Sequence, residues 1–160
     1  KVETPHTTTI EAVCQLLNTT VEKSCKAVVY QKNMTDEYII VFLRGDIEVN
    51  ETKLRNYIGE DIHPGVITEE SQIVAGFIGP KGIDSKKHTI VFDKSLEGIK
   101  NVCCGANEFD YHYINFNMER DYLQEQINIA EDKLGIAEGF FMGVGIGIVA
   151  MFGVLLAVIL

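Results

Sequence analysis

The chain has 160 residues, 46% hydrophobic and 23% charged, a balance that suits one packed domain and excludes a disordered polar chain. Its formal net charge of −9 excludes the profile of an autonomous nucleic-acid binder, whose affinity rests on cationic excess against phosphate. A domain to which a nucleic-acid end is delivered by a tethered partner remains open, because tethering raises the effective concentration.

The helix and strand signals follow in chain order. Thr8-x-x-Glu11 has the capping-box form, and behind it Ile10, Val13, Cys14 and Leu17 share one helical face. Lys26 to Tyr30 and Tyr38 to Leu43 are β-branched or aromatic runs joined by a polar, hairpin-like loop from Lys32 to Glu37. Asn50 caps a predicted short helix through Leu54 and Ile58, and Thr68 with Glu69 and Glu70 starts another. Gly76-Phe77-Ile78-Gly79-Pro80 is a breaker-rich loop. Thr89 to Phe92 reads as a buried strand, Ser95 to Ile99 as a helical turn or two, and Tyr111 to Phe116 as an alternating strand.

Glu119 to Glu138 is polar and helix-prone, with Leu123, Ile127, Ala130 and Leu134 on one face. Phe140 to Leu160 carries no charge, and an apolar run of about 20 residues is long enough to span a bilayer core. The predicted architecture is α/β, or α+β: a mixed β-sheet surrounded by short helices, plus a C-terminal apolar helix. It divides into a domain over 1–122, an amphipathic linker helix over 123–139 and an apolar tail over 140–160, a candidate transmembrane helix.

The cysteines, Cys14, Cys25, Cys103 and Cys104, form no Cys-x-x-Cys pair and keep no zinc spacing with His6, His63, His88 or His112. Reduced thiols and no metal are expected. Lys1-Val2-Glu3-Thr4-Pro5 is polar and does not read as a secretory leader, so the expected setting is cytoplasmic and the expected chain is cut from something longer.

Four blocks carry a family pattern. They are Lys26-Ala-Val-Val-Tyr30; Leu43-Arg-Gly-Asp46 with Glu48, Asn50 and Lys53; the G-x-x-x-P loop from Gly76 to Pro80; and a last run of Lys100-Asn101, Cys104-Gly-Ala-Asn107, Tyr111-His-Tyr-Ile-Asn115 and Arg120-Asp121. In this order the blocks resemble the editing (insertion) domain of bacterial-type prolyl-tRNA synthetases, related to free-standing aminoacyl-tRNA deacylases. The resemblance covers roughly residues 1 to 121, with a faint echo at Asp132-Lys133-Leu134 and Glu138-Gly139, and fails beyond Gly139.

The resemblance implies an ester hydrolase that removes alanine from mischarged tRNA(Pro). The need for it is physical: a synthetic pocket for proline cannot strongly exclude the smaller alanine, because missing methylenes cost only about 1–3 kcal/mol. It implies no cofactor for editing, ATP and Mg belonging to an aminoacylation core. The implied partners are the tRNA(Pro) acceptor end with its small amino acid, the rest of the synthetase if attached, and a membrane if 140–160 inserts.

Site residues follow from the same matches. Lys26 would hold a phosphate of the terminal nucleotide as a point charge, with Ser24 beside the same adenosine. Gly76, Phe77, Ile78, Gly79 and Pro80 would bring backbone N–H groups to the developing oxyanion. His112 would orient the aminoacyl group or a water. Gly105, Ala106 and Asn107 would wall a small pocket, and Asp93 would meet the substrate ammonium. The implied mechanism is substrate-assisted, the terminal 2′-hydroxyl helping to activate water.

Four alternatives stand beside it: a Cys104–His112 nucleophile dyad, Cys-tRNA(Pro) or another small ester as substrate, a non-catalytic tRNA-binding module, and a membrane-anchored adhesion protein. The last rests on Arg44-Gly45-Asp46, the sequons at Asn18, Asn33 and Asn50, and the apolar tail.

Overall fold

The computed structural model describes residues 1–123, Glu125 and the backbone of 157–159. The strands are β1 (Val2–Glu3), β2 (Cys25–Lys32), β3 (Tyr38–Arg44), β4 (Ile62–Pro64), β5 (Thr89–Asp93), β6 (Val102–Gly105), β7 (Tyr111–Phe116) and β8 (Ala157–Ile159). The helices are α1 (Ile10–Leu16) and α2 (Glu51–Ile58), with 3-10 turns at Val21–Lys23, Glu69–Ser71 and Lys94–Leu96 and a π turn at Met118–Leu123.

The fold is mixed α/β, with two sheets where one was expected. One sheet has the order β4-β2-β3-β5-β8, and the other β1-β7-β6. In the larger sheet β2 pairs antiparallel with β3 and β4, while β3 and β5 run parallel. A bridge between Ser24 and Cys103 links the two sheets.

β3 explains the layering. Ile39, Ile40, Val41, Phe42 and Leu43 are each at most 1% exposed, so both faces of this strand are covered. On one face Ile39 and Val41 pack with Tyr30, Val91 and the α2 residue Leu54. On the other, Ile40 and Phe42 pack with Cys25, Phe92, Val102, Cys104, Phe116 and Tyr122, so the second sheet forms the opposite wall. Phe42 and Phe92 stack at 5.3 Å. Truncating a buried leucine such as Leu54 to alanine costs about 2–5 kcal/mol.

The caps confirm some local readings and move others. Asn50 accepts from Lys53 N at 3.0 Å and starts α2, which Gly59 ends at φ 84. For α1 the cap is Thr9, whose side chain accepts from Ala12 N at 3.3 Å, one residue after the expected Thr8. α1 buries Val13 and Cys14 against Cys103 and so anchors the N-terminal segment to β6. Strands β1, β4 and β6 were not expected; two are only two or three residues long, and β6 is Val-Cys-Cys-Gly, weak in β-branched signal.

The linker-helix and tail expectations over 123–160 otherwise lie outside the described residues. Ala157–Ile159 is strand, not helix, and pairs parallel with β5 through Val91–Ala157, Phe92–Val158 and Asp93–Ile159. The edge of β5 offers unpaired backbone groups, and Val-Ile favours extended backbone. Among the described residues no helix is long and apolar enough to cross a membrane.

Candidate active site

His112 sits in β7 between its two partners, opposite Val2 of β1 and Gly105 of β6. Its side chain is buried, and its Nδ1 lies 2.6 Å from Thr4 Oγ1. Thr4 is itself fully buried and held by Asp110, whose carbonyl accepts from Thr4 N at 2.7 Å. Whichever atom donates, the bond fixes the ring and leaves Nε2 without a hydrogen-bond partner among the described residues. Burial lowers the imidazole's pKa, so the ring is neutral near pH 7.

Lys26 follows the start of β2. Its side chain is mostly buried, and Nζ meets Glu48 Oε1 at 2.8 Å. Glu48 is 86% exposed, so the ammonium is held in the protein while its partner stands in solvent.

The loop from Gly76 to Pro80 is clamped by Asn107. Gly79 N donates to Asn107 Oδ1 at 2.9 Å, and Asn107 Nδ2 donates to the carbonyls of Gly79 and Lys81. Phe77 N donates to Val74 O. The loop amides left without an acceptor among the described residues are those of Gly76 and Ile78. Gly79 and the β6 residue Gly105 are in backbone contact: a Cβ on Gly79 would run into the Gly105 carbonyl, and one on Gly105 into the Phe77 carbonyl. Gly76 takes φ 83, and a Cβ there would lie 3.1 Å from Thr8.

These elements enclose one pocket of about 100 Å³, lined by Lys26, Ala27, Gly76, Ile78, Gly105 and His112 with Thr8, Thr9, Ile10, Val13, Cys25, Cys103 and Cys104. A partly buried cation, a neutral imidazole and two loop residues whose amides lack an acceptor therefore line a space far smaller than the several hundred Å³ typical of drug-sized ligands.

A family model described as "Aminoacyl-tRNA editing domain" matches residues 4–122. The chain belongs to the aminoacyl-tRNA editing domain family. It is 37% identical over 140 residues to a proline–tRNA ligase of Ligilactobacillus salivarius (strain UCC118) and 39% identical over 126 residues to that of Geobacillus sp. (strain WCH70). These matches take in 84% and 76% of this chain but only 24% and 22% of the ligases, so the chain spans about a quarter of the length of these curated relatives. A solved structure described as a candidate trans-editing enzyme for prolyl tRNA synthetase has a TM-score of 0.60 at 17% identity, covering 74% of this chain and 75% of that one. Another, described as a hypothetical protein, has a TM-score of 0.63 at 17% identity, covering 79% and 82%. At such identity the structures speak for the fold alone. The four sequence blocks thus belong to an aminoacyl-tRNA editing domain, a deacylase by class, similar to a segment of proline–tRNA ligases.

Of the residues expected to form the editing site, Lys26, Gly76, Ile78, Gly105 and His112 line the pocket and the others do not. Phe77 is fully buried under the loop, and Pro80 is buried with it. Gly79 offers no oxyanion donor, because Asn107 already takes its N–H; its role, and that of Asn107, is to hold the loop on β6. Ala106 N closes the β6–β7 turn on Tyr111 O at 3.2 Å. Ser24 is fully buried and donates to Val21 O at 2.7 Å, which leaves it unable to reach an adenosine. Asp93 caps the Lys94–Leu96 turn by accepting from Ser95 N at 2.8 Å. It borders a different cavity of about 260 Å³, formed with Leu96, Ile99, Met118, Tyr122 and Leu123.

Sequence reasoning passed over Thr4, the partner of His112, and the Thr8–Ile10 entry to α1. Cys104 lines the same small pocket, but burial raises its thiol pKa well above the ordinary value, and no hydrogen bond joins it to His112. That is the reverse of an activated nucleophile. In the Arg44-Gly45-Asp46 segment the guanidinium bonds Asp46, at 2.9 Å from Nη2, and Gly45 N bonds Ser24 O, so both charges are engaged locally rather than presented to a receptor. Among the described residues no group of three or more His, Cys, Asp or Glu is placed to hold a metal.

Proposed function

We propose that this editing domain hydrolyses the ester joining alanine to the terminal adenosine of tRNA(Pro). The placement of Lys26, Gly76, Ile78 and His112 around one pocket of about 100 Å³ carries the reading. The alanyl group occupies the pocket, where the bare backbone of Gly105 lines the wall. Lys26 exchanges Glu48 for a phosphate of the incoming end; an ion pair with a solvent-exposed carboxylate is weak, so the exchange costs little.

Water then attacks the ester carbonyl carbon, assisted by the 2′-hydroxyl of the adenosine. The Gly76 and Ile78 N–H groups receive the oxyanion, a type of donor worth about 3–4 kcal/mol of barrier each. The ester C–O bond breaks, the ribose oxygen takes a proton and alanine leaves. Neutral His112, fixed through Thr4, orients the water or the aminoacyl group through Nε2. The reaction uses no cofactor; ATP and magnesium would serve only the aminoacylation core of a complete ligase. The acidic surface fits a domain that receives its substrate from attached or associated synthetase rather than from solution, in the cytoplasm.

The test is hydrolysis of Ala-, Cys- and Pro-tRNA(Pro) by the purified chain with a chelator present. Alanine release well above the uncatalysed rate, with the prolyl ester spared, is expected. Faster release of cysteine would move the reading to the Cys-tRNA(Pro) deacylase, and no release of any ester would make the domain a binding module.

A further inference from the structure

Among the described residues Phe109 is the one exposed phenylalanine, with 67% of its surface open. A single exposed apolar side chain is ordinary, but the setting of this one is not. The chain leaves β6 through Asn107 at φ 53 and enters β7 through Asp110 at φ 64, and the turn between them is pinned from all sides. Asn107 N bonds Phe77 O at 2.8 Å, the Asn107 side chain grips Gly79 and Lys81, and Asp110 accepts from both Thr4 N and His6 N. On this fixed turn the Phe109 ring packs at 5.2 Å on Phe77, and Phe77 packs at 5.5 Å on His112. Two ring-to-ring contacts therefore separate an open aromatic face from the imidazole of the editing pocket.

Charge decides what that face can receive. Glu108, already paired with Lys1, and Asp110 flank Phe109 and offer no cation of their own to a phosphate, whereas the pocket's cation, Lys26, lies on β2. A single-stranded nucleic-acid end presents both parts, an anionic backbone and neutral aromatic bases, and bases stack readily on exposed aromatic side chains.

The geometry points to Phe109 as a stacking platform for a nucleobase of the single-stranded acceptor end, held beside the ester pocket. The inference rests on the hydrolytic reading above. A base stacked there positions the end without touching the reacting carbonyl, so it strengthens ground state and transition state alike and acts on KM rather than kcat.

Steady-state hydrolysis of Ala-tRNA(Pro) by the full chain and by Phe109→Ala, Phe109→Leu and Phe109→Tyr tests this. Both Phe109→Ala and Phe109→Leu should raise KM roughly tenfold with kcat within about twofold, and Phe109→Tyr should restore KM. Leucine keeps an apolar cover over Phe77, so its defect cannot be put down to a lost fold. The alanyl ester of adenosine, assayed in parallel, identifies the base: a defect retained there is stacking of the terminal adenine, and a defect confined to the tRNA is stacking of its neighbour. An active wild type with unchanged KM in Phe109→Leu overturns the stacking inference and leaves the hydrolase standing. An inactive wild type overturns the hydrolase, and the inference with it.

Discussion

Of two cavities bordered by described residues, one near the end of β5 and one beside the glycine loop, the larger is the less equipped for chemistry. The one near the end of β5 holds about 260 Å³, yet its inner polar groups are committed, Asp93 capping a turn and Asn117 exchanging bonds with Asn101 and Asp121, while Lys94, Glu97, Lys100 and Glu119 stand exposed on its rim. The one between β2, β6, β7 and the glycine loop holds about 100 Å³, and its groups are held in place but unfinished. Lys26 has an exchangeable partner, His112 has one open nitrogen and two amides lack acceptors. Uncommitted polar groups on a rigid frame, rather than volume, mark the place where a substrate completes the structure.

The strongest way to break this contrast is to remove the frame. Gly79→Ala places a Cβ against the Gly105 carbonyl, so a loss of about 3 kcal/mol or more in unfolding free energy is expected, with loss of hydrolysis. Denaturant melts measure it, and a variant as stable as wild type would show that the close contact is not required. The next effect separates the cavities directly. Lys26→Ala should lower kcat/KM about a hundredfold, as expected for losing a charge-assisted contact to phosphate. Asp93→Ala should stay within about twofold in activity and lose about 1 kcal/mol of stability with its cap.

Thr4→Val is milder. It removes the hydrogen bond that holds His112 while keeping the shape, and should cost about 1 kcal/mol of stability and roughly tenfold in kcat. The same change should shift the pH–rate profile, which a purely structural threonine would leave in place.

The smallest expected effect is on stability against pH. Burial lowers the pKa of His112 in the pocket and of His88 outside it. The unfolded chain therefore takes up protons on these rings before the folded chain does. Their contribution to stability is complete above the ordinary histidine pKa of about 6.5 and is lost as pH falls below it. Denaturation midpoints at pH 7 and pH 5 should show the decline, and His112→Gln should reduce it.

Much of this frame was legible in the sequence, for physical reasons. The unbroken run from Tyr38 to Leu43 announces a strand, and Asn50 announces a cap, because each signal is local. Lys26, Gly76, Ile78, Gly105 and His112 were picked out by family resemblance, and the fold brings them together. The contacts that fix their roles were not legible. Thr4 meets His112 across 108 positions of chain, and Asn107 takes the Gly79 amide across 28. Asp93 carries the right chemistry for an ammonium, but its own backbone two residues on claims it first.

The most direct measurement is an amide-NMR titration of the chain with an amide-linked alanyl-adenosine, which keeps the shape of the substrate and resists hydrolysis. Shifts confined to Lys26, Gly76, Ile78, Gly105 and His112 and their neighbours are expected. Shifts centred instead on Asp93–Lys100 and Met118–Leu123, with Lys26 and His112 unmoved, would contradict the assignment of the small pocket as the editing site.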